Sequence, residues 1–212
     1  MKNNFYLNVI DEQQKRERLQ NLFDISFQKN DKSSLRQSYK ELRRLELNSG
    51  LNQPCETVNV SELTENITMA CDVLTSDIGI NFLYCGNETH SVLCNCRLFT
   101  KALLNLLSNA YLYGQDRIVL VKTIECGNFV KIEVQSGGKF EFDRENKGLS
   151  FVRSFCQSFQ GRFLIESDVL YSKAMMILPK SKGKGSQSVD FCDLISDRLS
   201  PVYVEFFGME YN

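Results

Sequence analysis

Residues 98–114 read LFTKALLNLLSNAYLYG, and this stretch carries more information about the fold than any other in the chain. Its apolar residues recur at steps of three and four, which predicts an amphipathic helix with one face in a core: Phe99, Leu103, Leu106 and Ala110. Asn105 and Asn109 stand one helical turn apart on this otherwise apolar helix. Asn109 lies at the edge of the apolar face, where its side-chain oxygen suits either a hard cation such as Mg²⁺ or plain hydration at the surface.

Composition and charge limit the classes of partner. The chain has 212 residues, of which 42% are hydrophobic, enough for one full domain and an appendage. Its 25 basic and 26 acidic residues leave a net charge of -1, so neither nucleic acid nor an anionic membrane is an expected partner. We find no signal-peptide pattern and no stretch long enough for a membrane span, and we expect a cytoplasmic protein.

The eight cysteines are scattered, and we expect them to be reduced and packed as small hydrophobes. One cluster, Cys85, His90, Cys94 and Cys96, has residue types that could hold zinc tetrahedrally. Its spacing fits no compact zinc knuckle, so ordinary packing is favoured and no zinc is expected. His90 is the sole histidine, and we expect it to be an exposed residue of a loop.

The first fifty residues predict a helical hairpin. Residues 9–28 are charged and carry a narrow apolar seam, and a second helix follows the turn-forming sequence NDKSS, ending near Asn48. Two helices with such thin seams cannot bury themselves alone. We therefore expect residues 1–50 to be a dimerisation domain that pairs with a second copy of the chain.

Residues 55–180 mix helices with strands. Asn59, with Glu62 in a capping box, and Asn95 are expected to cap two helices, and Cys126-Gly127-Asn128 predicts a hairpin between two strands. A helix over 148–159 and two further strands complete a pattern that predicts an α+β, two-layer sandwich with helices on one face. Residues 181–188 have the composition of a flexible linker. The apolar tail, 189–212, is expected to dock on the domain or on a partner.

Several of these segments resemble one family. LLNLLSNAYLYG resembles the N box of sensor histidine kinases and their relatives in the GHKL ATPase superfamily. KGLSFVRSFCQSFQGRFLIES is similar to the second glycine box with the helix and strand behind it, and VNVSELTENI and ELRRLELNSGL resemble the segments leading into that domain. The resemblance covers roughly residues 30–180, and it implies the Bergerat-type ATPase fold behind a dimerising hairpin.

The resemblance also implies a nucleotide site. Asn109 would hold Mg²⁺ against the phosphates of ATP, Asn105 would face the same pocket, and Tyr113 would lie beside the adenine. The other positions that would contact the nucleotide, if binding is retained, are Ser136, Gly138, Gly148 and Ser150.

This chain departs from the family in three places. Ser136 replaces the aspartate that accepts the adenine amino proton, a change that would weaken nucleotide binding by about ten- to a hundredfold. Phe140 replaces a glycine, and the six residues EFDREN between Phe140 and Lys147 leave no room for the lid that encloses the phosphates. The phosphoacceptor histidine is missing from the hairpin, since the sole histidine is His90.

Three functions follow from these observations. The first is a degenerate kinase, or pseudokinase, of two-component signalling that regulates a partner by binding: a response-regulator receiver domain or an active histidine kinase, docked on residues 9–48. The second is an ATP-binding phosphotransferase that acts on a partner protein through Asn109 and Mg²⁺. The third is a scaffold unrelated to signalling, in which the asparagine-bearing helix is a core helix.

Overall fold

The computed structural model describes residues 14, 17–26, 28, 29, 31–48, 54–86, 88–138, 147–183, 185 and 189–207. They fall into two compact units, divided as Met1–Asn52 with Arg198–Asn212, and Gln53–Asp197. We describe the first as the helical unit and the second as the sandwich unit.

The described part of the helical unit contains three helices: α1 over residues 17–26, α2 over Lys32–Asn48, and a third from the other end of the chain. Asp31 begins α2, because its carboxylate accepts the N–H groups of Ser33 and Ser34 at 3.1 and 3.2 Å. Phe23 of α1 meets Tyr39 of α2 edge to face, with ring centroids 5.1 Å apart. The two predicted helices thus share an aromatic contact.

The third helix of this unit is α7 (Pro201–Phe207), and it belongs to the C-terminal tail. Arg43 of α2 donates two hydrogen bonds to the carboxylate of Glu205 on this helix, at 2.8 and 2.5 Å. Val204 joins Phe23, Tyr39 and Leu42 in one buried cluster. Part of the predicted tail therefore buries apolar surface of the hairpin within the same chain.

Among its described residues, the sandwich unit holds two sheets. The strands of the larger sheet are β2 (Asn81–Cys85), β4 (Ile118–Cys126), β5 (Phe129–Gly137), β6 (Arg162–Ser167) and β7 (Tyr171–Pro179). Their order across the sheet is β2-β4-β5-β7-β6, with β2 parallel to β4 and the other neighbours antiparallel. An antiparallel pair, β1 (Glu56–Asn59) and β3 (Ser91–Cys94), forms the smaller sheet. The predicted hairpin between β4 and β5 is confirmed, with Gly127 at a φ of 62°.

The helices of this unit are α3 (Val60–Thr75), a 3₁₀ turn (Ser76–Ile78), α4 (Cys96–Tyr113), α5 (Lys147–Ser158) and α6 (Phe191–Ser196). Both predicted caps are confirmed: Asn59 accepts the N–H of Glu62 at 3.2 Å, and Asn95 accepts that of Leu98 at 2.9 Å. The α+β architecture, with a five-stranded sheet packed against helices, is the predicted two-layer sandwich.

Helix α4 is buried over most of its surface. The four residues of the predicted core face are buried, and so is every residue from Ala102 to Ser108. This burial exceeds the predicted stripe because α4 contacts β4 and β5 of the sheet and also α3 and α5. The C-terminal third of α4 consequently brings its polar residues to the edge of a packed core.

The segments that follow β7 are held by hydrogen bonds to the sandwich unit. Ser181 donates its N–H to the carbonyl of Ser91 at 2.7 Å, and Gly185 donates to the Ser91 hydroxyl at 3.0 Å. Asn66 of α3 donates to the carbonyl of Val189 at 3.0 Å, and α6 then packs on α3. The described part of the predicted linker is therefore in contact with β3.

Glu133 of β5 should make stability depend on acid pH. Burial acts to raise the pKa of Glu133, but the Lys131 ammonium at 2.9 Å and the charge of Lys173 outweigh burial and hold the pKa below its ordinary value. A carboxylate with a depressed folded pKa stabilises the fold above its unfolded pKa and loses that contribution as pH falls. We expect Glu133→Gln to lower the free energy of unfolding at about pH 6, and the difference from wild type to shrink below about pH 4.

Urea denaturation at both pH values measures this difference. Glu166→Gln on the exposed face of β6 is the control, and it should change stability by less than about 0.5 kcal/mol. A Glu133→Gln deficit that stays constant between the two pH values would contradict the assignment to this ion pair.

Candidate functional site

The candidate site begins at the C-terminal end of α4. Asn105 is buried, and its side-chain N–H donates to the carbonyl of Lys101 at 2.8 Å, so one amide hydrogen is used inside the helix. Asn109, one turn further, is partly exposed, and Tyr113 is 52% exposed. Of the three positions on this helix, Asn109 and Tyr113 reach the surface.

Ser136 lies beside the end of α4, near the end of β5. Its side chain is 2% exposed, and its hydroxyl has no hydrogen-bond partner among the described residues. A Cβ placed on Gly114, the residue that ends α4, would lie 3.2 Å from the Cβ of Ser136 and 2.4 Å from the carbonyl oxygen of Ala110. The fold therefore brings the end of the asparagine-bearing helix against a buried hydroxyl whose hydrogen-bonding capacity is unused.

Gly138 continues the site with a left-handed backbone, at a φ of 82°. Its N–H donates to the carbonyl of Leu170 at 3.0 Å, and its own carbonyl accepts the hydroxyl of Ser172 at 2.9 Å. These bonds hold the glycine turn against the start of β7. Phe140 and the segment EFDREN, which the sequence predicts to be too short for a lid, fall within residues 139–146 and lie outside the described residues.

Two polar side chains that we did not predict cover these glycines. A Cβ on Gly137 would lie 1.8 Å from the Asp116 carboxylate, and one on Gly138 would lie 2.6 Å from the Gln115 side chain. Gln115 also donates its N–H to the carbonyl of Gly137 at 2.9 Å. The sequence signal was weak, because Gln115 and Asp116 stand in an ordinary turn between α4 and β4. The Asp116 carboxylate therefore lies next to Gly137, the residue that follows Ser136 in the sequence.

Gly148 and Ser150 lie in the first turn of α5, where Gly148 is partly buried and Ser150 is exposed. This helix contacts α4 through Phe155, whose ring centroid is 6.2 Å from that of Phe99, and through Phe151, which lies under the Lys101 ammonium. α5 is thus packed on the N-terminal half of α4, whereas Ser136 and Gly138 lie by the C-terminal end of α4.

The donor set at this site suits Mg·ATP incompletely. Mg²⁺ prefers an octahedron of oxygen ligands that usually includes carboxylates, and Asn109 offers one neutral amide oxygen. Ser136 has a hydroxyl where an acceptor for the adenine amino group needs a negative charge. The hydroxyl of Ser136 is a buried polar group that has no hydrogen-bond partner among the described residues.

His90 occupies a different place from the one predicted. It is 3% exposed, so the expectation of an exposed loop residue is wrong. The reason is that strand β3 begins immediately after it, and α3 fixes its backbone: Val60 donates to its carbonyl at 3.0 Å and its own N–H donates to the Ser61 hydroxyl at 3.0 Å. Tertiary contacts, which the local sequence does not reveal, bury this imidazole.

The fold is similar to solved structures of histidine kinases. AdeS of Acinetobacter baumannii matches with a TM-score of 0.53 and 13% identity, over 68% of this chain and 76% of that one. The ATP binding domain of PrrB from Mycobacterium tuberculosis matches at 0.51 and 18%, over 61% of this chain and 100% of that one. Full-length ShkA, solved in complex with AMPPNP, matches at 0.63 and 12%, over 84% of this chain and 46% of that one.

The chain thus has the fold of these histidine kinase structures, as the motif resemblance implied. At these identities the likeness establishes the fold. No protein-family model matches the sequence, and a search of curated proteins finds no significant match. Among the described helices, none is long and apolar enough to cross a membrane.

Proposed function

We propose that this chain is a two-component signalling protein that regulates a partner by binding it, and that it transfers no phosphate. Its fold is that of histidine kinase catalytic regions, which supports a place in two-component signalling. The observation that carries the proposal is Ser136, a neutral and buried hydroxyl at the position where the family has its adenine-binding aspartate. We also propose a cytoplasmic location and a homodimer formed through the helical unit.

The absence of a histidine from the hairpin sequence supports the same proposal. The sole histidine of the chain, His90, belongs to the sandwich unit, where it is buried. A buried imidazole with a fixed backbone is poorly placed to receive a phosphoryl group from a nucleotide. The hairpin of this chain therefore lacks the usual phosphoacceptor histidine, and we propose that it acts by binding a partner.

The proposed partner surface is the helical unit. A largely apolar groove of about 420 Å³ lies among α1, α2 and α7. It is lined by five apolar or aromatic residues and two arginines: Phe23, Leu35, Arg36, Tyr39, Arg198, Tyr203 and Phe207. Leu22 and Ile25 of α1 are exposed as well. Exposed apolar surface rimmed by charge is typical of protein-binding sites. A response-regulator receiver domain or an active histidine kinase is the partner that we propose.

Titration calorimetry of the full chain with Mg·ATP tests the proposal. We expect no binding in the micromolar range, because the carboxylate that should anchor the adenine is missing. Asn109→Ala should give the same trace as the wild type. Micromolar affinity that Asn109→Ala abolishes would overturn the proposal and favour an ATP-dependent phosphotransferase.

One observation favours that second candidate, in which Asn109 and Mg²⁺ serve phosphoryl transfer to a partner protein. The Asp116 carboxylate lies against Gly137, beside the position that Ser136 leaves neutral. It is an exposed side chain and could accept the adenine amino group in place of the missing aspartate. If Mg·ATP binds to the wild type, loss of that binding in Asp116→Asn would show that Asp116 takes the role of the missing aspartate.

A further inference from the structure

A separate group of ionisable side chains lies where the connection between β2 and β3 meets the end of β4. Glu88, His90 and Glu125 each place one potential ligand atom so that the three atoms lie within 4.8 Å of one another. Within the described ranges, no other set of three or more histidine, cysteine or acidic side chains is brought together in this way. None of the three residues belongs to the nucleotide-like site described above.

The position of His90 suits a metal ligand. Its backbone is bonded on both sides to the start of α3, so its position is fixed without help from the imidazole. Its Nδ1 is buried and has no hydrogen-bond partner in the described structure. A buried imidazole nitrogen in that condition carries a free-energy cost that a bound cation would remove.

The distance between His90 and Glu125 fits a metal bridge better than a hydrogen bond. Nδ1 of His90 lies 3.5 Å from Oε2 of Glu125, beyond the usual hydrogen-bond range of about 2.7–3.2 Å. Two ligand atoms on a tetrahedral zinc, each bonded at about 2.1 Å, stand about 3.4 Å apart. The two side chains are therefore already spaced as neighbours in a zinc coordination shell.

The carboxylates supply the charge and the third ligand. Oε2 of Glu125, the oxygen nearest to Nδ1 of His90, also accepts a hydrogen bond from the Lys180 ammonium. Lys180 thus provides the positive charge that a dication would bring. Glu88 is 73% exposed, and its Oε2 lies 3.9 Å from Nε2, the other ring nitrogen of His90. This exposed side chain must therefore turn toward Nδ1 to become the third ligand of an ion bound there.

We propose that Glu88, His90 and Glu125 bind one divalent cation of the zinc type, with water completing the shell. Imidazole nitrogen and carboxylate oxygen are both common zinc ligands. Of the four residues that the sequence suggested for zinc, namely Cys85, His90, Cys94 and Cys96, this site shares only His90. Its other protein ligands are carboxylate oxygens and not thiolate sulfurs. Burial raises the pKa of Cys94 to about 12, so that thiol stays protonated and packs as an apolar group. A bound ion would join the β2–β3 connection to the end of β4.

Calorimetric titration of the full chain with Zn²⁺ tests the site. We expect one equivalent to bind, and Glu125→Gln and Glu88→Gln each to weaken binding by about tenfold or more. Lys180→Ala should tighten binding, because Glu125 then has no competing ammonium. Glu166→Gln, an exposed carboxylate elsewhere on the sheet, is the matched control and should leave the affinity unchanged. With Co²⁺ as the probe, we expect visible d–d absorption and no thiolate charge-transfer band.

Three results would overturn the proposal. These are an absence of Zn²⁺ binding at millimolar concentration, an unchanged affinity in Glu125→Gln, and a thiolate-to-cobalt band that assigns the ion to the exposed cysteines. His90→Gln should abolish binding. If that variant fails to fold, the Glu125 and Lys180 variants decide the matter, since both of these side chains are at least one-third exposed. Weaker binding to Lys180→Ala would contradict the expected competition.

Discussion

Leu106→Asp should leave the sandwich unit unfolded at room temperature. Leu106 lies on α4 with 1% of its surface exposed, between the sheet and the neighbouring helices. The substitution removes a buried side chain, which costs about 3–5 kcal/mol, and puts an unpaired carboxylate in its place at a further cost of several kcal/mol. The sum is comparable with the whole stability of a typical domain, about 5–15 kcal/mol. Far-ultraviolet circular dichroism during heating measures the loss of the transition.

Leu112→Asp is the matched control for this experiment. Leu112 belongs to the same helix, but it is 37% exposed, so the new carboxylate remains hydrated. We expect a change of less than about 1 kcal/mol, part of it from placing a negative charge at a helix C-terminus. A full thermal transition in Leu106→Asp would show that the core face of α4 is wrongly assigned.

Gly161→Ala should produce the second-largest loss of stability. Gly161 links the end of α5 to β6, and a Cβ there would stand 2.3 Å from the backbone carbonyl oxygen of Ile177 on β7. A backbone atom inside a paired strand cannot rotate away as a side chain can. We expect a cost of about 3 kcal/mol or more, because α5 and the β6–β7 edge must separate to admit one methyl group. Chemical denaturation followed by circular dichroism measures it.

Gly127→Ala separates this steric effect from backbone preference. Gly127 has a positive φ of 62°, but no atom lies within 4 Å of the position that its Cβ would take. The expected cost is about 1 kcal/mol, from the left-handed conformation alone. Equal losses in the two variants would mean that the contact at Gly161 relaxes without strain.

The candidate site could be predicted in part. The sequence of α4 identified its core face, its cap at Asn95 and the polar positions Asn109 and Tyr113 near its end, because these depend on spacing along one helix. Gln115 and Asp116 escaped prediction because their importance comes from two glycines at the end of β5 and just beyond it, Gly137 and Gly138. That Asn105 faces the pocket stays a prediction, and the structure adds that one of its amide N–H groups donates to Lys101 within the helix.

Local sequence by itself determined the helix caps, the β4–β5 hairpin and the alternation of helices and strands. Each of these depends on residues a few positions apart, whose hydrogen bonds and apolar spacing act over short range. Only the tertiary structure decided that His90 is buried beside Glu88 and Glu125, that α7 completes the helical unit, and that Ser136 is an unsatisfied hydroxyl. These features join segments that are far apart in the chain, and the free energy of such contacts depends on the packed fold.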